Sequence, residues 1–205
     1  MSVRTPAGLA GRAALWAATL TVLVFLVAPI VAIVPLSFSA GSFLHYPLPG
    51  LSLRWYREFF SSPFWVDAVI NSLIIGAGAT VLATTLGTLA AFGLWLAPIP
   101  ARGLVLAVLI APMVVPSVVV AVGLLFAYAP VGLANTYAGM ILAHTALAAP
   151  FVVVTVSATL AGFDRTLLRA AAASGAGPAR AFRRVVLPLI APGVTAGALF
   201  AFAIS

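Results

Sequence analysis

Apolar residues run through this chain in long unbroken stretches, separated by short segments where arginine, proline, glycine and serine collect. The first stretch, Ala13 to Phe38, is longer than the about 20 residues that cross a bilayer and well beyond the about 7–15 of a secretory signal core. It reads as a retained transmembrane helix, with cleavage near the small residues Ser37 to Ala40 as the alternative. A second stretch runs from Asp67 to Ala97, long enough to tilt or project from the bilayer. Along it Gly76, Thr80, Thr84 and Thr88 recur every four residues, with Ala79, Ala83, Gly87 and Ala91 beside them. Such a stripe of small residues lets helix backbones approach closely in lipid; a lining for a polar path is the second reading.

The third stretch, Gly103 to Tyr128, is interrupted by Pro112 and Pro116, which flank Met113. Each proline deletes a backbone donor and kinks a helix, so this part is expected inside a bundle, beside a cavity. The fourth, Ala138 to Leu160, carries His144 and Thr145. An ionisable side chain within a span is a functional hypothesis by default, and a single hydrogen bond to a neighbouring helix explains it equally well. The fifth, Leu189 to Ser205, is short for a span and has no polar anchor at its end. It reads as a helix cut short, with further C-terminal helices missing. The fold class that follows is an all-α integral membrane protein, a polytopic helical bundle forming one transmembrane domain over residues 1–205.

Between these stretches lie two longer polar connections. Residues 39–66 include Ser52 to Phe60, SLRWYREFF, in which Trp55, Tyr56, Phe59 and Phe60 alternate with Arg54, Arg57 and Glu58. That mixture suits a short helix at headgroup level, where rings settle and arginine reaches water; a substrate contact is the rival reading. Residues 161–188 hold Asp164 and five arginines.

Charge turns this pattern into a topology. Ten arginines and no lysine stand against Glu58, Asp67 and Asp164, giving +7 on a chain that is 64% hydrophobic and 6% charged. Because the arginines sit between apolar runs, membrane orientation explains them and nucleic-acid binding is set aside. Arg4, Arg12, Arg102, Arg165, Arg169, Arg180, Arg183 and Arg184 fall on one side, and Arg54 and Arg57 on the other. The positive-inside rule therefore puts the N-terminus and the 161–188 loop in the cytoplasm, with 39–66 outside. The absence of cysteine excludes disulfides, thiol catalysis and cysteine-ligated metal.

The cytoplasmic loop has an internal grammar. Asp164 is a good N-cap, Thr166 to Ser174 is helix-forming, and Gly175 supplies a residue able to take positive φ after the helix. Gly177 precedes Pro178, a helix-start signal. In the next helix Phe182, Val185 and Val186 fall on one apolar face and Arg180, Arg183 and Arg184 occupy the rest, until Leu187-Pro188 ends it and re-enters the membrane. A protein-docking surface and a basic helix pair resting on anionic lipid both fit.

This loop resembles the cytoplasmic signature of the permease subunits of binding-protein-dependent ABC importers. That signature reads Glu-Ala-Ala, three residues, Gly, nine residues, an aliphatic residue, one more, then Leu-Pro. The chain gives Arg169-Ala170-Ala171, Gly175, Val185, Leu187 and Pro188 at the same spacing, with Arg169 in place of the usual glutamate. The resemblance implies a coupling helix, Arg169 to Phe182, that docks in a cleft of a cytoplasmic ATPase subunit. It also implies a second homologous or identical permease, a periplasmic substrate-binding protein, and a bacterial inner membrane location. ATP and Mg would be bound by the partner ATPase, with no cofactor in this subunit. Ser37-Phe38-Ser39 and Leu51 to Phe60 are similar to the spermidine/putrescine permease group, which implies a polyamine substrate; ferric iron, thiamine or a small anion are the alternatives. Pro112, Met113, Pro116, His144 and Thr145 are the candidates for the translocation path.

Catalytic motifs are missing. A Walker A loop needs lysine, and there is no HExxH, CxxC or GxSxG. The rival from another class is a membrane-embedded enzyme using His144 with Asp67 or a serine; a passive scaffold or insertion factor with a lipid-binding loop is a third reading.

Overall fold

In lipid an uncharged run can satisfy its backbone only through itself, which makes it a helix. The computed structural model describes residues 6–205, with side chains from Gly11 onward; Arg4, counted above for topology, lies outside the described residues. The chain clusters into two compact units, one up to Ala68 and one from Val69.

The first unit contains α1 (Pro6–Leu36), α2 (Arg54–Ser61) and the start of α3 (Pro63–Leu96). The connection after α1 is an ordered loop. Ser39 and Leu51 form an antiparallel bridge, the Ser37 and Tyr56 hydroxyls share a 2.7 Å hydrogen bond, and Phe38 packs on Tyr56. Arg54 donates to the Ala40 carbonyl at 3.2 Å and lies over the Trp55 ring. α2 is thus the short amphipathic helix expected from SLRWYREFF, and its aromatic residues line an open apolar cavity of about 600 Å³ with Ser37, Ser42 and Leu44.

The second unit holds the rest of α3, then α4 (Arg102–Val114), α5 (Ser117–Tyr128), α6 (Tyr137–Ala161) and α7 (Thr166–Ala173). It ends with a continuous helix, Pro178–Ile204, made of α8 (Pro178–Ala181), a π-helical turn (Phe182–Val186) and α9 (Leu187–Ile204). Its core is a three-helix seam. Ala83 and Ala91 of α3, Ala148, Val152, Val156 and Leu160 of α6, and Val186, Ile190 and Ala201 of the last helix are all buried together. The small-residue stripe of α3 serves packing: Gly76, Ala79, Ala83, Gly87 and Ala91 are buried, and a Cβ at Gly87 would meet Val152 Cβ at 2.7 Å.

A tighter contact joins α6 to the last helix. Gly193 and Gly197, four residues apart, face Thr155 and Thr159. A Cβ at Gly193 would collide with Thr159 Oγ1, and one at Gly197 would come to 2.7 Å of Thr155 Oγ1 and 3.0 Å of Val152 Cα. This is a small-xxx-small contact. The threonine hydroxyls bond to their own helix, Thr159 to the Thr155 carbonyl at 3.0 Å and Thr155 to that of Val152 at 3.1 Å.

Two expectations need correction. The third stretch is two helices and not one continuous kinked helix. α4 and α5 are bent by 105° about Val115-Pro116, while Pro112 lies inside α4 without ending it. A proline disfavours helical conformation one residue upstream: Val115 before Pro116 is extended (φ −74°, ψ 132°), whereas Ala111 before Pro112 stays helical.

The second correction concerns Leu187-Pro188, which does not end a helix. The turn widens instead: the Leu187 amide bonds five residues back to the Phe182 carbonyl. An i→i+5 turn admits one extra residue and relieves the missing donor and ring clash of Pro188. The final helix therefore starts at Pro178 rather than Leu189. Among the described residues, four helices are long and apolar enough to cross a membrane, or five if the bent α4–α5 pair counts as one.

Candidate functional site

The loop between α6 and the last helix is built by its caps. Asp164 is not itself the N-cap, which falls at Arg165; one residue earlier, its carboxylate accepts the Thr166 amide at 2.8 Å and the Thr166 hydroxyl at 2.6 Å, a local side-chain turn that leads into α7. The two Thr166 bonds, aided by the Arg169 charge and opposed by some desolvation, hold the Asp164 carboxyl below its ordinary value of 3.8. At the far end the Gly175 amide bonds to the Ala172 carbonyl and the Ala176 amide to that of Ala171, both at 3.0 Å. This pair of bonds is a Schellman closure, which needs a left-handed residue at the C′ position; Gly175 supplies it with φ +78°. Nothing lies within 4 Å of a Cβ placed there, so glycine is required by backbone conformation and not by space.

Gly177 differs. At φ −66°, ψ 163° it takes a conformation open to any residue. The glycine elbow read over Gly175-Ala176-Gly177 reduces to Gly175 alone, with Pro178 starting α8 as expected. Beyond it Ala181 and Val186 are buried, Phe182 and Val185 are half-buried, and Arg180, Arg183 and Arg184 are exposed, so the apolar face predicted at Phe182, Val185 and Val186 faces the core. Ala170 and Arg169 point outward, Ala171 is half-buried, and Leu168 packs on the core.

Below the loop sits a cluster that sequence reasoning missed. Phe182 packs on Phe92 with ring centroids 4.8 Å apart, Phe92 stacks on Trp95 at 5.9 Å, and Trp95 meets Phe163 edge-on at 5.4 Å. The Arg165 guanidinium lies 4.4 Å above the Trp95 ring and donates to the Trp95 carbonyl. The loop is thereby fixed at both ends to the last turn of α3, where the final carbonyls have no helical partner. Arg165 had counted only toward topology. A basic residue opening the loop and two aromatics ending the preceding small-residue helix were the available signal.

The candidate path residues do not converge. His144 lines a cavity of about 200 Å³ with Ala121, Leu125 and Tyr128 of α5 and Asn135 and Met140. Pro112, Met113 and Pro116 are not among its walls; Met113 and Pro116 are exposed and Pro112 half-buried. The 105° break parts α4 from the half-helix that lines this cavity. His144 Nδ1 lies 2.9 Å from the Ser205 hydroxyl, a hydrogen bond between α6 and the end of the last helix. Thr145 is buried, its hydroxyl bonded to the Ile141 carbonyl of its own helix. Near the start of α6, Tyr137 donates to Asn71 of α3. Among the described residues no three His, Cys, Asp or Glu side chains come together as a metal site.

Residues 83–205, the region holding the seam, the loop and the π turn, match the family described as "Binding-protein-dependent transport system inner membrane component". The spermidine/putrescine transport system permease protein PotC of Haemophilus influenzae is 34% identical over 181 residues, 88% of this chain and 70% of that protein. PotC of Escherichia coli K12 is 30% identical over 88% of this chain and 68% of its own. The trehalose transport system permease protein SugB of Mycobacterium tuberculosis is 33% identical over 72% of this chain and 54% of its own.

Proposed function

The chain belongs to the family of binding-protein-dependent transport system inner membrane components, and from that premise we propose that its 161–188 loop is the contact through which a separate ATPase subunit drives the permease. The observation that carries this reading is the Gly175 closure: a capped, exposed helix held on the end of α3 and joined through the short Ser174–Gly177 turn to the long apolar helix Pro178–Ile204. A push on Arg169 to Phe182 is then passed along the last helix and, through Phe182 and Phe92, to α3. ATP and Mg bind in the partner ATPase. A periplasmic binding protein delivers substrate to the 39–66 side, and a second homologous or identical permease completes the path. The arginine asymmetry supports a cytoplasmic N-terminus and loop.

With Arg169 outward where the family carries a glutamate, contact with the ATPase rests on shape and apolar surface. Closing of the ATPase pair brings the two coupling helices together, and this rigid-body shift opens the path outward. Spermidine or putrescine is the substrate favoured by the two PotC relatives. A sugar is the second reading, favoured by the likeness to the trehalose permease. Reconstitution with the ATPase, binding protein and second permease tests both levels. Uptake of labelled spermidine but not trehalose supports the polyamine reading, and the reverse defeats it. Normal coupling in a Gly175→Val variant would sink the role given to the loop.

A further inference from the structure

The first turns of the last helix carry a basic cluster, partly inside the coupling segment, to which contact by shape and apolar surface gives no role. Arg180, Arg183 and Arg184 stand at i, i+3 and i+4, on one helix face, and with Ala179 line an open cleft of about 430 Å³. All three are exposed, while Ala181 and Val186 between and beyond them are buried in the core. No neighbouring carboxylate on the loop is free to balance them: its single acid, Asp164, is held by Thr166. Three guanidinium groups thus converge on an open cleft at the point where the chain enters the membrane.

The surface running from this cleft along the helix is apolar. Pro188, Pro192, Thr195 and Leu199 follow Arg184 at spacings of three and four and are all exposed, so they form one ridge. Its only hydroxyl, Thr195, bonds to the Ala191 carbonyl of its own helix at 2.9 Å, as a lipid-facing hydroxyl must. A ligand that suits both parts has an anionic head and a long apolar tail.

We propose that Arg180, Arg183 and Arg184 bind the phosphate headgroup of an anionic phospholipid whose acyl chain lies along the Pro188–Leu199 ridge. The site would tie the base of the coupling loop to the cytoplasmic leaflet, and it rests on the orientation adopted in the proposed function. Basic clusters at the cytoplasmic ends of spans attract anionic lipid in this way, each arginine strengthening the attraction about fivefold.

The assembled transporter is purified from nanodiscs containing equal phosphatidylglycerol and phosphatidylcholine of the same chain length, and retained lipids are counted by native mass spectrometry. The wild type is expected to retain phosphatidylglycerol preferentially. Replacing all three arginines by glutamine should cut that preference roughly a hundredfold, and Arg183→Gln alone, a change too mild to unfold the helix, about fivefold. Replacement of all three by lysine should preserve most of it, since lysine also binds phosphate. An unchanged preference in the glutamine variants overturns the proposal. So does loss of the ATPase subunit with lipid retention intact, which assigns the arginines to the protein partner, and so does a wild type without preference, the ridge then being covered by the second permease. Orientation is checked separately with Ala179→Cys in this cysteine-free chain. Labelling by an impermeant maleimide from the cytoplasmic side keeps the importer topology whatever the lipid result; labelling from the opposite side overturns the topology and this site together.

Discussion

Gly193 and Gly175 lie 18 positions apart, each constrained for a different reason. At Gly193 the backbone is ordinary helix and the neighbour is the obstacle, Thr159 Oγ1 standing where a Cβ would collide with it. Around Gly175 the space is empty and the backbone is the obstacle, with φ at +78°. The seam between α6 and the last helix is limited by volume, whereas the loop is limited by conformation. A close-packed interior transmits displacement because it has no slack, while an exposed capped helix can be handled by a partner without disturbing the core. Damage to the seam should therefore appear as loss of the folded protein, and damage to the loop as loss of coupling in a protein that still folds.

The seam sets the largest expected effect. Gly193→Val forces branched carbons into Thr159 and the Thr155 carbonyl, 2.9 Å from the missing Cβ, and should cost about 3 kcal/mol or more. Thermal unfolding in detergent would show a clear drop. The contact predicts a coupling as well: Gly193→Ala should be less harmful in a Thr159→Ala background, because Thr159 Oγ1 is the nearest clash. Strict additivity in that double-mutant cycle would mean that the helices separate under the load instead of pressing on one side chain.

The two regions were unequally legible in the sequence. The caps of the loop could be read directly, since Asp164, Gly175 and Pro178 act on their own neighbours along the chain. The stripe on α3 could also be read, because a period of four on one helix is local. Gly193 and Gly197 passed unnoticed, as their meaning depends on Thr155 and Thr159 almost 40 positions earlier. The aromatic cluster was missed for the same reason: Trp95 and Arg165 have no local relation. Pro188 misled by its local rule, for a π turn keeps a helix running where the proline rule ends it. Pro112 and Pro116 carry the same local signal, yet only Pro116 stands at the break between α4 and α5.

The next effect in size separates conformation from volume at the loop. Gly175→Val places a branched side chain in the left-handed region, at a cost of about 1–2 kcal/mol, too little to unfold the protein and enough to open the Schellman closure. Transport-coupled ATPase activity should fall sharply while thermal stability changes little. Gly175→Asn is the control, because asparagine tolerates this conformation and nothing crowds its Cβ; it should keep most of the coupling. Equal loss in both variants would contradict the conformational account. Smaller again is Arg165→Gln, which removes the cation–π contact with Trp95, worth about 0.5–1 kcal/mol. Faster hydrogen exchange confined to Asp164–Arg169 is the readout, and an unchanged rate there would mean that the aromatic cluster holds the loop without the arginine.

The smallest effect is one of pH. Hydrogen bonds from Thr166, with help from Arg169, lower the Asp164 pKa in the folded chain, so the ionised carboxylate is the form that folding favours. Such a group stabilises above its unfolded value, near 3.8, and the contribution is lost as pH falls through the lower folded value. Protection of the Thr166 and Leu167 amides, corrected for intrinsic exchange, should accordingly be level at neutral and mildly acidic pH and decline only below about 4. Asp164→Asn keeps an acceptor oxygen at the cap but has nothing to titrate, so its protection should be lower and flat through the same range. Parallel declines in the two proteins would mean that the acid sensitivity of this turn arises elsewhere, and that the loop begins by a local hydrogen bond whose charge is immaterial.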